Sequence, residues 1–384
     1  MTVYFDNAAT TPLHPYVFEK MKSFLTEYYG NASSIHSFGR KARVAVESAR
    51  EIIAEFINAY PGEIYFTSGG TESNNYSLFG IAKAEKKETN RNHIITSSVE
   101  HHSVLDVCSE LQKIGFELTI VKADSDSLIN PDSFNYSTNQ FTSLVSVIHT
   151  NNETGAVNSI GNISQILKSK GIFFHTDIVQ SFGKTEINVR ELGVDSLSAS
   201  AHKINGPKGT GFSYIKGGTP ITPLLFGGSQ ERNRRGGTEN VAGIVGFAEA
   251  VKIAKEKFKE AESYVRNIKE KLLSGLLSID NSGIKINGGI NSSPYILSVT
   301  FKPEHYKNDS ESMMMFLDIN GIAASNGAAC TSGTLKPSHV ILASGGSVEE
   351  ASGTIRFSFG TQNTEAEVEY TLDVIQKMAF KFRR

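Results

Sequence analysis

Short apolar runs, joined to helical patterns through glycine-bearing turns, restrict this chain more than any other feature. The alternation recurs up to about residue 245. Runs at 63–67, 93–96, 116–121, 144–149, 172–175, 196–200 and 211–215 read as strands. Leu144-Val-Ser-Val-Ile148 is almost continuously apolar, the mark of a strand covered on both faces. At 37–59, Val44, Ala45, Ala49, Ile52, Ile53 and Phe56 fall on one helical stripe, and a second helix is expected from Glu72 toward Lys86. The expected fold class is α/β, with a large domain built on a mostly parallel sheet covered by helices.

From Phe247 the period changes. Val251, Ala254, Phe258, Ala261, Val265, Ile268, Leu272 and Leu276 follow steps of three and four, with Lys and Glu between them. A helix over 247–277 would reach roughly 45 Å, longer than a small domain is wide, so it is expected to link two domains. Beyond it come strand-like 295–301, a helix near 311–319, a loop of small residues around Cys330, strand-like 354–359 and a last helix from Ala366. This tail reads as a smaller α+β domain. The expected division is 13–250 for the large domain, and 1–12 with 265–384 for the small one.

Composition narrows the function. Thirty-eight basic and 40 acidic side chains leave a net charge of −2, so no broad positive field exists to hold a nucleic acid or an anionic membrane. No apolar run approaches the ~20 residues of a membrane span. The first residues have neither a basic nor an apolar signal region, and a cytoplasmic location is expected. Cys108 and Cys330 are the only cysteines, too few for a disulfide framework.

The residues able to carry chemistry gather at strand ends. Lys203 follows the strand at 196–200 in Ser200-Ala-His202-Lys203-Ile-Asn-Gly206. It reads either as a surface loop lysine or as a desolvated amine suited to imine formation. Asp177 ends the apolar run 172–175 and either caps the next helix or pairs with a cationic ring nitrogen, as pyridoxal phosphate requires. Ser68-Gly-Gly70-Thr71 opens a helix, where free N–H groups and the helix dipole suit a phosphate monoester. His101 could stack on a planar cofactor, since no third ligand is apparent for a metal. Asn152 also lies at the carboxyl edge, where open α/β sheets bind ligands. Cys108 keeps step with Val104, Leu105 and Leu111 and reads as a buried small hydrophobe. Cys330, among small hydroxyl-bearing residues, is either an incidental loop cysteine or an accessible nucleophile. Arg356 interrupts an apolar run and is either a partner for an acidic side chain or a clamp for a substrate carboxylate.

As a set these residues resemble the cysteine desulfurases of the class V, fold type I pyridoxal-phosphate superfamily, in the nitrogen-fixation and iron–sulfur assembly branch. The resemblance covers nearly the whole chain, from Tyr4-Phe-Asp-Asn-Ala-Ala-Thr-Thr-Pro12 onward. It rests on Gly30-Asn-Ala-Ser-Ser-Ile-His36, Phe66-Thr-Ser-Gly-Gly-Thr-Glu-Ser-Asn-Asn75, Glu100-His101, Asn151-Asn-Glu-Thr-Gly155, Asp177…Gln180, Ser200–Gly209, Arg234-Arg-Gly-Gly-Thr-Glu-Asn240 and Ala329-Cys-Thr-Ser-Gly…Pro337-Ser-His. It implies that the large domain binds pyridoxal 5'-phosphate. Lys203 would carry the cofactor as an imine and move the substrate α-proton. Asp177 would pair with the ring nitrogen, Gln180 would meet the ring hydroxyl and His101 would stack on the ring. Gly70, Thr71, Ser200 and His202 would hold the phosphate, joined by Thr238 from a neighbouring subunit in a homodimer. Asn152 and Arg356, with Asn31 nearby, would bind the carboxylate of L-cysteine. Cys330 would accept sulfur as a persulfide and pass it to an iron–sulfur scaffold or another acceptor protein. Three departures stand out: Ile178 replaces a usual alanine, Ala32 a usual proline, and Ile341-Leu-Ala-Ser-Gly-Gly346 lacks the usual arginine. The competing readings are a selenocysteine lyase, a class V aminotransferase and a non-catalytic sulfur-relay scaffold. The long cysteine loop disfavours simple transamination, and intact Lys203, Asp177, Gln180 and Arg356 disfavour a scaffold.

Overall fold

The computed structural model describes residues 1–289, 291–327 and 336–384. Its largest element is a seven-stranded sheet in the spatial order Ile64–Thr67, Gly211–Ile215, Ser196–Ser200, Phe173–Asp177, Thr142–Ser146, His93–Ser97, Glu117–Val121. Only Gly211–Ile215 runs against the rest, pairing antiparallel with both neighbours. The five central strands are buried along their length, apart from the half-buried Phe173, as expected of a sheet covered on both faces. Helices such as Ser37–Phe56, Gly70–Thr89 and Ile160–Ser169 connect or cover them. The α/β expectation holds.

A second, three-stranded antiparallel sheet joins Thr354–Ser358, Ile296–Phe301 and Ile284–Asn287. Val3–Tyr4 pairs parallel with Ile322–Ala323 beside it. The two sheets lie over separate apolar clusters, and one helix, Val241–Asp280, enters both. Ile244, Phe247, Ala248 and Val251 pack with Val17, Ile53, Phe182 and Phe212 in the first cluster. Val265, Ile268, Leu272 and Leu276 pack with Val3, Phe5, Leu297 and Phe357 in the second.

At 40 residues this helix reaches about 60 Å. It starts six residues before the periodicity suggested, because Gly243 and Gly246 obscure its first turns. Both glycines sit in close quarters: a Cβ at Gly246 would meet Met21 Sδ at 2.6 Å and displace that side chain, and one at Gly243 would collide with Thr210 Oγ1. Asn240 starts the helix by accepting a hydrogen bond from the Gly243 N–H. Val340 belongs to the first cluster although it follows the second sheet's early strands in sequence. The chain therefore returns to the large sheet after residue 335. Among the described residues no helix is long and apolar enough to cross a membrane.

Candidate active site

The parallel strands deliver their carboxyl ends to one edge. Thr67 is followed by Gly69-Gly70, Ser97 by His101, Ser146 by Ile148 and Asn152, and Ser200 by His202-Lys203, while Asp177 is itself a strand's last residue. Together they wall a cavity of about 380 Å³, closed on the other side by Ala8, Ala9, Ser325, Gly327 and Arg356. Ten of the expected site residues line it: Gly70, Thr71, His101, Asn152, Asp177, Gln180, Ser200, His202, Lys203 and Arg356. Asn31 and Thr238 are exposed and do not line it in the single chain. Cys330 lies outside the described residues.

Lys203 is buried, and its Nζ donates to the carbonyls of Ala8 and Ala9, the latter at 2.7 Å. Burial first, and then the positive charge of Arg356, bring its pKa down to about 8. Asp177 accepts from Asn74 Nδ2 at 2.7 Å and from the Val179 N–H at 2.8 Å. The same Asn74 amide reaches Ser103 Oγ at 2.8 Å, and Ser103 Oγ meets His101 Nδ1 at 2.8 Å. The Ser103 N–H donates to that nitrogen as well, at 3.1 Å, which assigns the imidazole proton to Nε2. Desolvation lowers the pKa of His101, so a neutral ring faces the cavity. A hydrogen-bonded chain thus runs from Asp177 through Asn74 and Ser103 to His101.

The anion end is built from main chain. Gly69 sits at φ +152°, a conformation other residues avoid, and a Cβ at Gly70 would meet Val179 Cγ2 at 2.7 Å. The helix Gly70–Thr89 therefore begins hard against the cavity with no side-chain cap on its first N–H groups. An adjoining hollow shares Gly70, Thr71, Ser200 and His202 and adds Ser68 and Lys208. His202 is held near pKa 4 by burial and by Lys203, Lys208 and Lys184, so it presents a neutral ring there.

Arg356 donates from Nη1 to the Asn152 carbonyl and from Nη2 to Asp6 Oδ1, both at 2.8 Å. Asp6 thus gives the arginine the acidic partner of the first reading and orients it, while its Nε has no hydrogen-bond partner among the described residues. Three buried polar atoms in the cavity wall have no partner among the described residues: Asn74 Oδ1, Gln180 Oε1 and Arg356 Nε. Buried polar atoms are rarely left so. With the amine, the carboxylate and the uncapped helix start, they fit a ring-bearing phosphate monoester and an amino acid carboxylate.

Several residues here escaped the sequence reading. Asn74 lies four residues after Gly70 on one helix face, a spacing that could have revealed it. Glu100 is fully buried; its Oε1 accepts from the Ser97 hydroxyl and from the Ile148 N–H. Burial pushes its pKa up to about 8 against those two bonds, and the charge of Asp177 adds to the rise. His339 Nε2 bonds the Glu100 carbonyl at 2.9 Å, and its ring lies 4.5 Å from that of His102. Glu153, 5% exposed, bonds the Ser338 hydroxyl; burial raises its pKa to about 7. Cys108 packs with Val104 and Leu111 as expected, and burial pushes its thiol up to about 12.

The description "Aminotransferase class-V" matches residues 3–371. The chain is 45% identical to a cysteine desulfurase IscS of Dictyoglomus turgidum, over 99% of this chain and 95% of that protein. It is 41% identical to one from Clostridium botulinum, over 98% and 94%. A solved NifS-like protein superposes with a TM-score of 0.91 at 37% identity, covering both chains completely. Fold and site define an enzyme that works through pyridoxal 5'-phosphate. The chain belongs to the class V aminotransferase family.

Proposed function

We propose that this enzyme is a cysteine desulfurase, taking sulfur from L-cysteine, releasing L-alanine and leaving a persulfide on Cys330. The cysteine desulfurases among its relatives support the reading. The observation that carries it is the meeting of Lys203, Asp177 and Arg356 in one cavity. Pyridoxal phosphate, when bound, supplies an electron sink that acidifies the substrate α-carbon and weakens the bond to sulfur.

The chain's own groups do the rest. Asp177 offers its carboxylate to a ring nitrogen, fixed in place by Asn74 and the Val179 N–H. Gln180 and His101, which line the same cavity, would hold the ring. Gly70, Thr71, Ser200 and His202 would hold the phosphate, and Thr238 would complete that site from a second copy of the chain in a homodimer. Arg356 binds the substrate carboxylate beside Asn152, with Asn31 as a further binding residue. Lys203, with a pKa near 8, is neutral often enough at pH 7 to take a proton at the α-carbon and return it. The Cys330 thiolate attacks the substrate sulfur: an S–S bond forms, the Cβ–S bond breaks, and the electron pair left on carbon takes up a proton to give alanine. A sulfur-acceptor protein, such as an iron–sulfur scaffold, then receives the persulfide sulfur in the cytoplasm. In this reading 13–250 binds cofactor, while 1–12 and 265–384 form the lobe that carries Arg356 and Cys330.

The test is alanine formation from L-cysteine by the wild type and by Cys330→Ala. The variant is expected to bind L-cysteine, seen as a change in the cofactor's absorbance, and to release no alanine. Undiminished alanine from the variant would transfer the reading to a lyase or an aminotransferase.

A further inference from the structure

The mechanism leaves one buried carboxyl in the cavity wall without a task. Glu153 sits in the turn after the strand Thr142–Ser146, and its backbone N–H is fixed by Asn151 Oδ1 at 2.9 Å. Asn151 is anchored in turn to the Val99 carbonyl at 2.8 Å. Four features of its surroundings converge. Ser338 Oγ donates to Glu153 Oε2 while accepting from the Ile341 N–H at 3.2 Å. His339 Nδ1 stands 3.9 Å from Oε1. Gly327, at φ +79°, comes so close that any side chain there would collide with Oε2. The positive charge of Arg356 reaches the same carboxyl.

Gly327 and Ser338 flank in sequence the stretch that contains Cys330. One carboxyl group from the large sheet therefore touches both flanks of the segment bearing the expected nucleophile. A surface salt bridge would be a weak anchor, but this group is 5% exposed and its hydroxyl partner is 2% exposed, so the bond operates out of water.

We propose that Glu153 is a positioning residue for the sulfur-accepting step: its carboxyl accepts from Ser338 and packs against Gly327, and so holds in place the two residues that flank the Cys330 stretch in sequence. Cofactor and substrate are held by other residues, so losing Glu153 should spare their binding and slow the transfer to Cys330. The inference rests on the desulfurase reading, and the two fail differently, since a wild type that makes no alanine from L-cysteine defeats the reading itself.

The experiment uses the cofactor-loaded enzyme with L-cysteine in a single turnover without reductant, and follows persulfide on Cys330 by intact-protein mass. Glu153→Ala is expected to keep the cofactor absorbance and a KM within about threefold of the wild type, while persulfide formation slows about tenfold or more. Glu153→Gln, still able to accept from Ser338, is expected to recover most of that rate. Ser338→Ala provides the same contrast by removing the other partner, and it should slow the same step with KM preserved. A Glu153→Ala rate within twofold of the wild type would overturn the proposal. So would a Gln variant as slow as the Ala variant, or a loss in Ser338→Ala that falls entirely on KM.

Discussion

Replacing Glu100 by Gln should make the stability of this enzyme less sensitive to pH, in a direction the structure fixes. Glu100 is fully buried; its Oε1 takes two donors and its Oε2 has no partner among the described residues. Its pKa rises from 4.5 to about 8, chiefly through burial. A carboxyl whose folded pKa exceeds its unfolded value keeps a proton that the unfolded chain has already released. Between about 4.5 and about 8 the native state therefore binds more protons, and stability falls as pH rises. Each pH unit in that window is worth about 1.4 kcal/mol. From about pH 5 to about pH 8 the upper bound is about 4 kcal/mol, and roughly half of that remains once the surroundings relax around the ionised group. Gln keeps the Oε1 acceptor for Ser97 and Ile148 and never ionises. The buried Glu153, which imposes a slope of the same sign, cancels in the comparison. The measurement is the difference in unfolding free energy between variant and wild type, by urea titration at several pH values in one buffer series. It should grow in favour of the variant by about 2–4 kcal/mol across the window. A difference flat to within about 0.5 kcal/mol would mean that Glu100 is ionised in the folded protein, and the account of a carboxyl kept neutral by burial would fail.

Two further outcomes are expected. Capture of pyridoxal phosphate by the apoprotein, followed by absorbance, should accelerate with pH, reach half its plateau near 8, where Lys203 is half neutral, and level off above that; a rate still climbing at about pH 10 would place that amine in water, and Lys203→Ala should show no imine band. Cys108→Ala should leave turnover within about twofold and cost roughly 1 kcal/mol of stability, since the thiol fills space beside Val104 and Leu111; a large loss of turnover with the fold intact would mean that the two thiols have been misassigned.

The sheet was legible because burial on both faces leaves a sequence signature in its apolar runs. Lys203 and Asp177 were legible because a charged residue closing such a run has few places to go. Other parts lacked any such mark. Ile284–Asn287 is a four-residue edge strand ending at Gly288-Gly289, too short for a period to declare itself. Glu100 reads as a polar neighbour of His101; its neutral state comes from complete burial, which outweighs the donors Ser97 and Ile148, the latter 48 residues away. Glu153 reads as part of a motif around Asn152, but its partners Gly327 and Ser338 lie far along the chain. Long-range burial decides these roles, and no local pattern encodes it.

The N-terminal segment shows most clearly how the two clusters are brought into register around the chemistry. Val3 and Phe5 are buried in the second cluster, and Asp6 pairs with Arg356 at 2.8 Å. Two residues later the Ala8 N–H bonds Ser358 Oγ at 2.8 Å, while the Ala8 carbonyl accepts from Lys203 and from Gln180. Thr10 Oγ1 meets His202 Nδ1 at 3.1 Å, and Thr11 bonds the His202 carbonyl through both its N–H and its hydroxyl. Between Asp6 and Thr11 five residues therefore touch the arginine expected to hold the substrate, the lysine expected to hold the cofactor, or the histidine at the phosphate end. Arg356 and Lys203 are thus bridged by a turn in this segment, closed where the Ala9 and Thr10 N–H groups donate to the Asp6 carbonyl. Its side chains are small because its carbonyl groups do the work: bulk at Ala8 or Ala9 would occupy the cavity that both residues line.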